Sequence, residues 1–97
     1  MKIEGFKGKV IIVSGAASGI GAAICQRFAG EGAKIGLLDM DETGVKAAAD
    51  KLKGAGAEAV GIKCDVVNEA ECTSAVGAVI GLFGGVDLLV NLSLIHI

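Results

Sequence analysis

The sequence predicts a three-layer α/β fold in which helices cover both faces of a parallel sheet. Four short apolar segments alternate with three segments of helical length in the order βαβαβαβ. This strict alternation requires parallel strands joined by right-handed crossovers. The hydrophobic fraction of 53% is high for a chain of 97 residues, and it fits strands that are buried on both faces. A doubly wound sheet of this kind has the strand order 3-2-1-4, which is the order we expect here.

Residues that favour turns and helix ends set the bounds of the elements. The strands are expected at residues 9–14, 34–39, 58–64 and 86–91, and the helices at 19–31, 42–55 and 69–83. Gly32 suits the left-handed position after the first helix, and Asp41 suits the N-cap of the second. Asn68 and Glu71 have the spacing of a capping box at the start of the third helix.

The spacing of apolar residues also predicts which face of each helix packs against the sheet. The buried positions expected on the first helix are Ile20, Ala23, Ile24 and Phe28. Those expected on the second helix are Val45, Ala48, Ala49 and Leu52. Those expected on the third helix are Ala75, Val76, Val79, Ile80 and Phe83.

A glycine-rich turn, S-G-A-A-S-G-I-G at residues 14–21, joins the first strand to the first helix. Gly15 permits a tight turn, and Gly19 and Gly21 let a bound group approach the backbone closely. The helix that begins near Gly19 directs N–H groups and the positive end of its dipole toward the turn, which suits a diphosphate. The spacing G-x-x-x-G-x-G differs from the usual dinucleotide pattern G-x-G-x-x-G, so a strand-to-helix turn without a ligand is the alternative.

A carboxylate, Asp39, ends the second strand 24 positions after Gly15. In a doubly wound sheet this position lies beside the glycine-rich turn, where a carboxylate accepts hydrogen bonds from the hydroxyls of an adenosine ribose. The same charge repels a 2′-phosphate, and the expected neighbours Ser18 and Met40 are uncharged, so the sequence favours NAD over NADP as cofactor. The alternative role for Asp39, capping the next helix, is better filled by Asp41.

Two further polar residues follow strands at the same edge of the sheet, where open α/β sheets bind their ligands. Asp65 follows the third strand and is placed to meet an adenine amino group. A turn aspartate that satisfies local backbone groups is the alternative. Asn91 ends the fourth strand beside the first, where its side chain either contacts the cofactor or bridges the two strands.

Charge and composition argue against several other classes of function. The net charge of −2 and the pI of about 5.2 disfavour nucleic acid and anionic membranes as partners. No apolar stretch reaches the roughly 18 residues of a membrane span. Charges and glycines interrupt the N-terminus, so we expect no signal peptide and a cytoplasmic location. Cys25, Cys64 and Cys72 form an odd set without C-x-x-C, which argues against a disulfide framework and predicts reduced, mostly buried thiols, and the single histidine, His96, gives no metal site.

Together these motifs resemble the short-chain dehydrogenase/reductase family in its single-domain branch. The matching segments are S-G-A-A-S-G-I-G at 14–21, L-L-D at 37–39, C-D-V at 64–66 and D-L-L-V-N at 87–91, with Ser14 in place of the family's threonine. The resemblance implies a Rossmann-like fold and an NAD(P)-dependent oxidoreductase that acts on an alcohol or a ketone, for example a 3-oxoacyl, sugar or steroid-type carbonyl compound. It also implies that the intact parent protein is a homo-oligomer.

The resemblance assigns a part of the cofactor to each matching position. It implies that the diphosphate region is held by Gly15, Ser18, Gly19, Ile20 and Gly21. It implies that Asp39 and Met40 hold the adenosine ribose. It also implies that Asp65 and Val66 hold the adenine and that Asn91 holds the inner ribose.

The resemblance ends after Asn91. The family continues with N-N-A-G and later supplies a catalytic serine and a Tyr-x-x-x-Lys pair, whereas this chain continues with L-S-L-I-H-I and contains no tyrosine. Residues 92–97 match one reading frame of the transposon end used in sequencing libraries, so we expect a non-native tail, with a natural divergent tail as the alternative. We expect residues 1–91 to be the N-terminal half of the cofactor-binding domain, truncated after the fourth strand. By itself this half would be a nucleotide-binding module or an inactive fragment.

Overall fold

Seven elements alternate in the computed structural model, which describes residues 5–92 of the chain. They are β1 (Val10–Ser14), α1 (Gly19–Gly30), β2 (Lys34–Asp39), α2 (Glu42–Gly54), β3 (Ala59–Lys63), α3 (Glu69–Phe83) and β4 (Leu88–Asn91). Every predicted element is present, with ends within two residues of the predicted ones. Of the expected tail at 92–97, only Leu92 belongs to the described part, and residues 93–97, with His96, lie outside it.

The four strands of the described residues form one parallel sheet in the order β3-β2-β1-β4, which confirms the predicted order. The chain passes from β1 to β2 and β3 on one side and returns to the other side of β1 as β4. Ser14, at the end of β1, is level with Leu38 in β2 and with Asn91 in β4. This register brings the carboxyl ends of the strands to one edge of the sheet, at the point where the strand order reverses.

The core lies on both faces of the sheet because side chains alternate along each strand. Ile11 and Val13 of β1 belong to a cluster formed with α1 and α2, whereas Val10 and Ile12 belong to a second cluster formed with α3. All four side chains are buried. Burial on both faces explains why β1 is an uninterrupted apolar run rather than an alternating one.

The buried face of α1 differs from the predicted one. Gly21 and Cys25 are buried, whereas Ala23 is exposed and Ile20 is 72% exposed. Ile24 is half-buried and remains part of the predicted face. The rotation of α1 about its axis is set by the close approach of Gly21 to the glycine-rich turn, a contact that the apolar spacing does not encode.

The predicted faces of α2 and α3 are largely correct. On α2, all the buried residues are predicted ones. On α3, Ala75 and Val79 are buried, whereas the predicted Ile80 is 45% exposed. Ile80 lies one position beyond the buried stripe, about 100° around the helix, so its side chain turns away from the sheet. Within residues 5–92, none of these helices is both long enough and apolar enough to cross a membrane.

The predicted helix ends are present, with one difference. Asp41 caps α2, and Asn68 Oδ1 accepts from the Glu71 N–H at 3.0 Å at the start of α3. The second half of the predicted capping box is wrong, because Glu71 Oε1 accepts from the Asp65 N–H at 3.2 Å. The Asn68 N–H donates instead to the Asp65 carbonyl oxygen at 2.9 Å. Gly32 has a φ of +86°, the left-handed conformation predicted for it.

Candidate cofactor site

A cleft of about 310 Å³ lies where the carboxyl ends of β1, β2 and β3 meet the start of α1. Its lining residues are Gly15, Ser18, Asp39, Met40, Cys64, Val66 and Leu92. All but Cys64 and Leu92 are residues that the sequence predicts for the cofactor site. A larger cleft of about 460 Å³ lies between the carboxyl-terminal ends of α1 and α2. Because open α/β sheets bind ligands beyond the carboxyl ends of their strands, we assign the site to the smaller cleft.

Hydrogen bonds within the glycine-rich turn hold it in one shape. Gly15 has a φ of +75°, a left-handed conformation that glycine adopts without steric cost. The O–H and N–H groups of Ser18 both donate to the Gly15 carbonyl oxygen, at 2.7 and 3.2 Å. The Ala16 N–H donates to the Leu38 carbonyl oxygen at 3.1 Å, which ties the turn to β2. The protein itself therefore fixes the shape of the turn.

The first turn of α1 presents hydrogen-bond donors beside the cleft. Ser18 is the N-cap, and its Oγ accepts from the Gly21 N–H at 3.0 Å. The first N–H groups of a helix have no intrahelical partner. Among residues 5–92, no loop or side-chain acceptor takes the N–H of Gly19 or Ile20. These two donors and the positive end of the helix dipole form a position that suits an anion.

Gly19 and Gly21 serve different purposes, although the sequence predicts one purpose for both. A Cβ atom at Gly19 would meet no other atom within 4 Å. A Cβ atom at Gly21 would lie 2.8 Å from Ala16 Cα and closer still to the Gly15 carbonyl oxygen. Gly21 therefore lets α1 pack directly on the turn, whereas the space beside Gly19 is open to a bound group.

The carboxylate of Asp39 lies against the glycine-rich turn. Its Oδ2 accepts from the Ala17 N–H at 3.0 Å, and its Oδ1 accepts from the Asp41 N–H at 2.9 Å. The N-cap of α2 is Asp41, so Asp39 does not fill that alternative role. A carboxylate has about four acceptor positions, so Asp39 can accept further hydrogen bonds from a ligand. Asp39 and the exposed Met40 thus form the side of the cleft at the end of β2.

The loop after β3 brings Val66 to the cleft, but Asp65 is not among the lining residues. Asp65 Oδ1 accepts from the Val67 N–H at 3.1 Å and closes a local turn. This contact is the alternative that the sequence leaves open for Asp65. Of the two residues expected at the adenine, Val66 therefore lines the cleft, whereas Asp65 supports the loop that carries Val66.

The side chain of Asn91 joins β4 to β1. Ser14 Oγ donates to Asn91 Oδ1 at 2.7 Å, and the Leu92 N–H donates to the Ser14 carbonyl oxygen at 3.3 Å. This contact is the strand-bridging alternative for Asn91. The predicted site residues that do not line the cleft are Gly19, Ile20, Gly21, Asp65 and Asn91.

Cys64 and Leu92 line the cleft, but the sequence does not single out either for a side-chain role there. Burial, reinforced by the neighbouring Cys72 thiol, raises the pKa of Cys64 from 9.0 to about 11, so the Cys64 thiol is neutral near pH 7. Cys64 follows β3 much as Asp39 ends β2, and this position at the carboxyl end of a strand is a signal that could have identified Cys64 as a cleft residue. Leu92 carries no such signal, because the residues after Asn91 are expected to be a tail.

Two curated proteins illustrate the sequence relationship. The D-threitol dehydrogenase of Mycolicibacterium smegmatis is 45% identical over 84 residues, which cover 87% of this chain and 32% of that protein. The L-fucose dehydrogenase of Oryctolagus cuniculus is 40% identical over 86 residues, which cover 89% of this chain and 29% of that protein. The chain therefore spans about a third of the length of the curated relatives it matches.

Two solved structures share the fold. A hydroxysteroid dehydrogenase from Escherichia coli matches with a TM-score of 0.85 and 32% identity, over 89% of this chain and 37% of that one. A short-chain dehydrogenase/reductase from Burkholderia phymatum, in complex with NAD, matches with a TM-score of 0.84 and 40% identity, over 87% of this chain and 30% of that one. The parallel sheet and its helices are thus the Rossmann-like arrangement of these proteins.

A family model described as short chain dehydrogenase matches residues 9–93. The match includes all the elements described above and all the residues that line the cleft. The enzymes of this family are oxidoreductases that use a nicotinamide cofactor. This chain therefore belongs to the short-chain dehydrogenase/reductase family and corresponds to the amino-terminal part of its fold.

Proposed function

We propose that residues 5–92 bind NAD in this cleft, as part of an oxidoreductase that transfers hydride between the nicotinamide ring and an alcohol or ketone. The observation that carries the proposal is the position of Asp39, whose carboxylate is held beside the turn by the Ala17 N–H at 3.0 Å. When bound, the nicotinamide ring supplies the hydride chemistry. The role of this chain's residues is to hold and orient the cofactor.

Each part of NAD has a proposed set of partners. The diphosphate accepts hydrogen bonds from the N–H groups of Gly19 and Ile20. The turn at Gly15 and Ser18 lies beside the diphosphate. Gly21 contributes indirectly, because it lets α1 pack against that turn. The adenosine ribose donates its hydroxyls to Asp39. The remaining contacts are Met40 at the rim, Val66 and the Asp65 backbone at the adenine, and Asn91 near the inner ribose.

The preference for NAD over NADP is proposed from charge. A 2′-phosphate would lie beside the Asp39 carboxylate, which repels it. Among the described residues that line the cleft, no lysine or arginine could offset that repulsion. The similar protein from Burkholderia phymatum in complex with NAD supports the same preference.

The proposed substrate class is an alcohol or the corresponding carbonyl compound. Relatives named for D-threitol, for L-fucose and for hydroxysteroids support this class. The chain contains no tyrosine, the residue that the family uses as general acid and base. We therefore expect the 97-residue chain to bind NAD without transferring hydride by itself.

The test is a calorimetric titration of the 97-residue chain and its Gly19→Ala variant with NAD. A methyl group at position 19 would fill space that is open to the diphosphate, beside the two donors of α1. We expect the variant to bind NAD about tenfold more weakly or worse, as when one or two hydrogen bonds are lost. The folded structure should be unchanged, because the added methyl meets no protein atom within 4 Å.

Gly77→Ala is the matched control. Gly77 lies within α3, and its Cβ position is also open, so this variant repeats the helical glycine-to-alanine change away from the cleft. Both variants should keep or slightly raise the thermal midpoint, since alanine favours a helix by roughly 0.5–1 kcal/mol over glycine. Equal affinity of the Gly19→Ala variant and the unaltered chain would contradict the diphosphate position. Absence of saturable NAD binding to the unaltered chain would contradict the proposal as a whole.

A further inference from the structure

Two thiols lie in contact directly behind the cleft. The Sγ atoms of Cys64 and Cys72 are 3.9 Å apart, and both cysteines are free. Cys64 follows β3 and lines the cleft, and Cys72 is the fourth residue of α3. The two residues therefore connect the end of a strand to the start of the next helix, across the loop that carries Val66.

The Cys72 thiol also supports that loop. Its S–H group lies 3.4 Å from the Val66 carbonyl oxygen and 3.8 Å from that of Asp65. Cys72 is half-buried, so a small oxidant can reach it, whereas Cys64 is 1% exposed. One accessible thiol in contact with one buried thiol is the arrangement in which the first reacts with an oxidant and the second resolves the product.

We propose that Cys64 and Cys72 form a reversible disulfide bond that controls the shape of the cofactor cleft. The oxidant is a small-molecule disulfide such as oxidised glutathione. The Cys72 thiolate attacks one sulfur of that disulfide, which forms a mixed disulfide and releases one thiol. Cys64, after losing its proton to solvent, attacks the Cys72 sulfur and releases the second thiol. In total, two cysteine thiols are oxidised, one external disulfide is reduced to two thiols, and the protein loses two hydrogen atoms.

The bond changes the loop because it shortens the distance between the two sulfur atoms. A disulfide requires about 2.05 Å between the sulfurs, whereas they are 3.9 Å apart in the reduced protein. Oxidation also removes the S–H group that faces the Val66 carbonyl oxygen. Because Cys64 and Val66 both line the cleft, the movement reaches the part proposed to hold the adenine. This consequence rests on the proposed NAD site, whereas the formation of the bond does not.

Burial of Cys64, together with the groups around it, makes the exchange slow. Burial, the Cys72 thiol and the charges of Glu71 and Asp65 raise the pKa of Cys64 to about 11. Few Cys64 thiolates are present at neutral pH, so the resolving step limits the rate. We therefore expect the disulfide to form over minutes to hours rather than seconds, and faster at pH 8.5 than at pH 7.

The first test maps the disulfide in the 97-residue chain. The reduced protein is incubated with oxidised glutathione at pH 8.5, remaining thiols are alkylated, and peptides are analysed by mass spectrometry. We expect a Cys64–Cys72 link in the unaltered chain and in the Cys25→Ala variant, because Cys25 belongs to the core cluster on the other face of the sheet. Cys72→Ser, which keeps a hydroxyl donor for the Val66 carbonyl oxygen, should give no intramolecular link. A stable mixed disulfide at Cys72 with free Cys64, or a link that involves Cys25, would overturn the proposal.

The second test compares NAD affinity before and after oxidation. We expect oxidation to weaken binding about tenfold, an effect of one or two hydrogen bonds, and dithiothreitol to restore it. The affinity of the Cys72→Ser variant should not respond to oxidant. If the linked and reduced forms bind NAD with equal affinity, the proposal that the disulfide controls the cleft is wrong. A reduced chain that does not bind NAD, but in which the link is mapped, would count against the proposed function and leave the cysteine pair established.

Discussion

Asp39 combines a structural role with the position proposed for ligand binding. Both carboxylate oxygens already accept backbone N–H groups, from Ala17 in the turn and Asp41 before α2. The sequence predicts a carboxylate beside the glycine-rich turn, because Asp39 closes an apolar strand. It does not predict the bond from Ala17, since that contact depends on the positive φ of Gly15 and the path of the turn after it.

Replacement of Asp39 by arginine should shift cofactor preference from NAD toward NADP. The substitution replaces a charge that repels the 2′-phosphate with one that attracts it, and charge-assisted hydrogen bonds contribute about 1.5–3 kcal/mol each. We expect the ratio of the NAD and NADP dissociation constants to change by about tenfold or more, as measured by titration of each variant with both cofactors.

Asp39→Asn separates charge from shape in that experiment. The amide oxygen can still accept from the Ala17 N–H, so the turn keeps one of its contacts. This variant should lose the discrimination against NADP without gaining the affinity that arginine provides. An unchanged preference in the arginine variant would contradict the role of Asp39 at the ribose.

At the scale of elements, helices pack on this sheet through glycines. A Cβ atom at Gly61 in β3 would lie 2.9 Å from the Val45 carbonyl carbon and 3.1 Å from Lys46 Cα, both in the backbone of α2. A Cβ atom at Gly36 in β2 would lie 2.8 Å from a Val79 methyl group of α3. Both strands therefore approach a helix more closely than a strand with a side chain at that position allows.

Gly61→Ala should destabilise the fold more than Gly36→Ala. The first substitution presses on helix backbone, which can yield only if α2 moves away from β3, whereas the second presses on one side chain. We expect Gly61→Ala to lower the free energy of unfolding by about 1–3 kcal/mol, the usual cost of overpacking. Urea denaturation of both variants measures the difference, and a Gly61→Ala variant as stable as the unaltered chain would refute the close contact.

These contacts also explain which parts of the fold the sequence predicts. The ends of the elements are encoded locally, by residues such as Gly32 and Asp41, and they are predicted to within two residues. The parallel sheet follows from the alternation of elements, and the strand order follows from the doubly wound arrangement expected for it. The rotation of α1 about its axis cannot be predicted in this way, because it depends on the packing of Gly21 against the turn. The prediction that Ile20 is buried is wrong for that reason. In the site, the predicted positions at Gly15, Ser18, Asp39, Met40 and Val66 line the cleft.

At the scale of the whole molecule, the sheet divides the core into two unequal parts. The cluster formed with α1 and α2 includes Cys25, and the smaller cluster formed with α3 includes Cys64. Both thiols are almost fully buried. Burial raises the pKa of Cys25 to about 12 and that of Cys64, with help from Cys72, to about 11, so folding holds both thiols in the neutral form.

The stability of the fold should therefore decrease in alkaline solution. Below pH 9.0, the ordinary pKa, Cys25 is protonated in both the folded and the unfolded chain, so its ionisation does not change the free energy of unfolding. As the pH rises from 9.0 toward about 12, the thiol ionises only in the unfolded chain, which lowers the free energy of unfolding. The loss should approach about 1.4 kcal/mol per pH unit for one thiol.

Comparison with Cys25→Ala isolates this effect. Urea denaturation of both proteins between pH 8 and pH 10.5 gives two stability curves, and the two proteins differ only at residue 25. We expect the stability advantage of the unaltered chain to shrink as the pH rises. A constant difference between the curves would mean that Cys25 ionises equally well in the folded protein.

The central position of β1 has a consequence for synthesis of the chain. Among the four described strands, β1 is made well before its neighbour β4, and the bond from the Val10 N–H to Asp87 Oδ2 spans 77 positions. Until residue 91 has emerged, one edge of the most apolar strand lacks a neighbour and can pair with another nascent chain. The interval is several seconds at roughly 5–20 residues per second. The strand order, which places β1 between β2 and β4, therefore leaves this edge open for the whole of that interval.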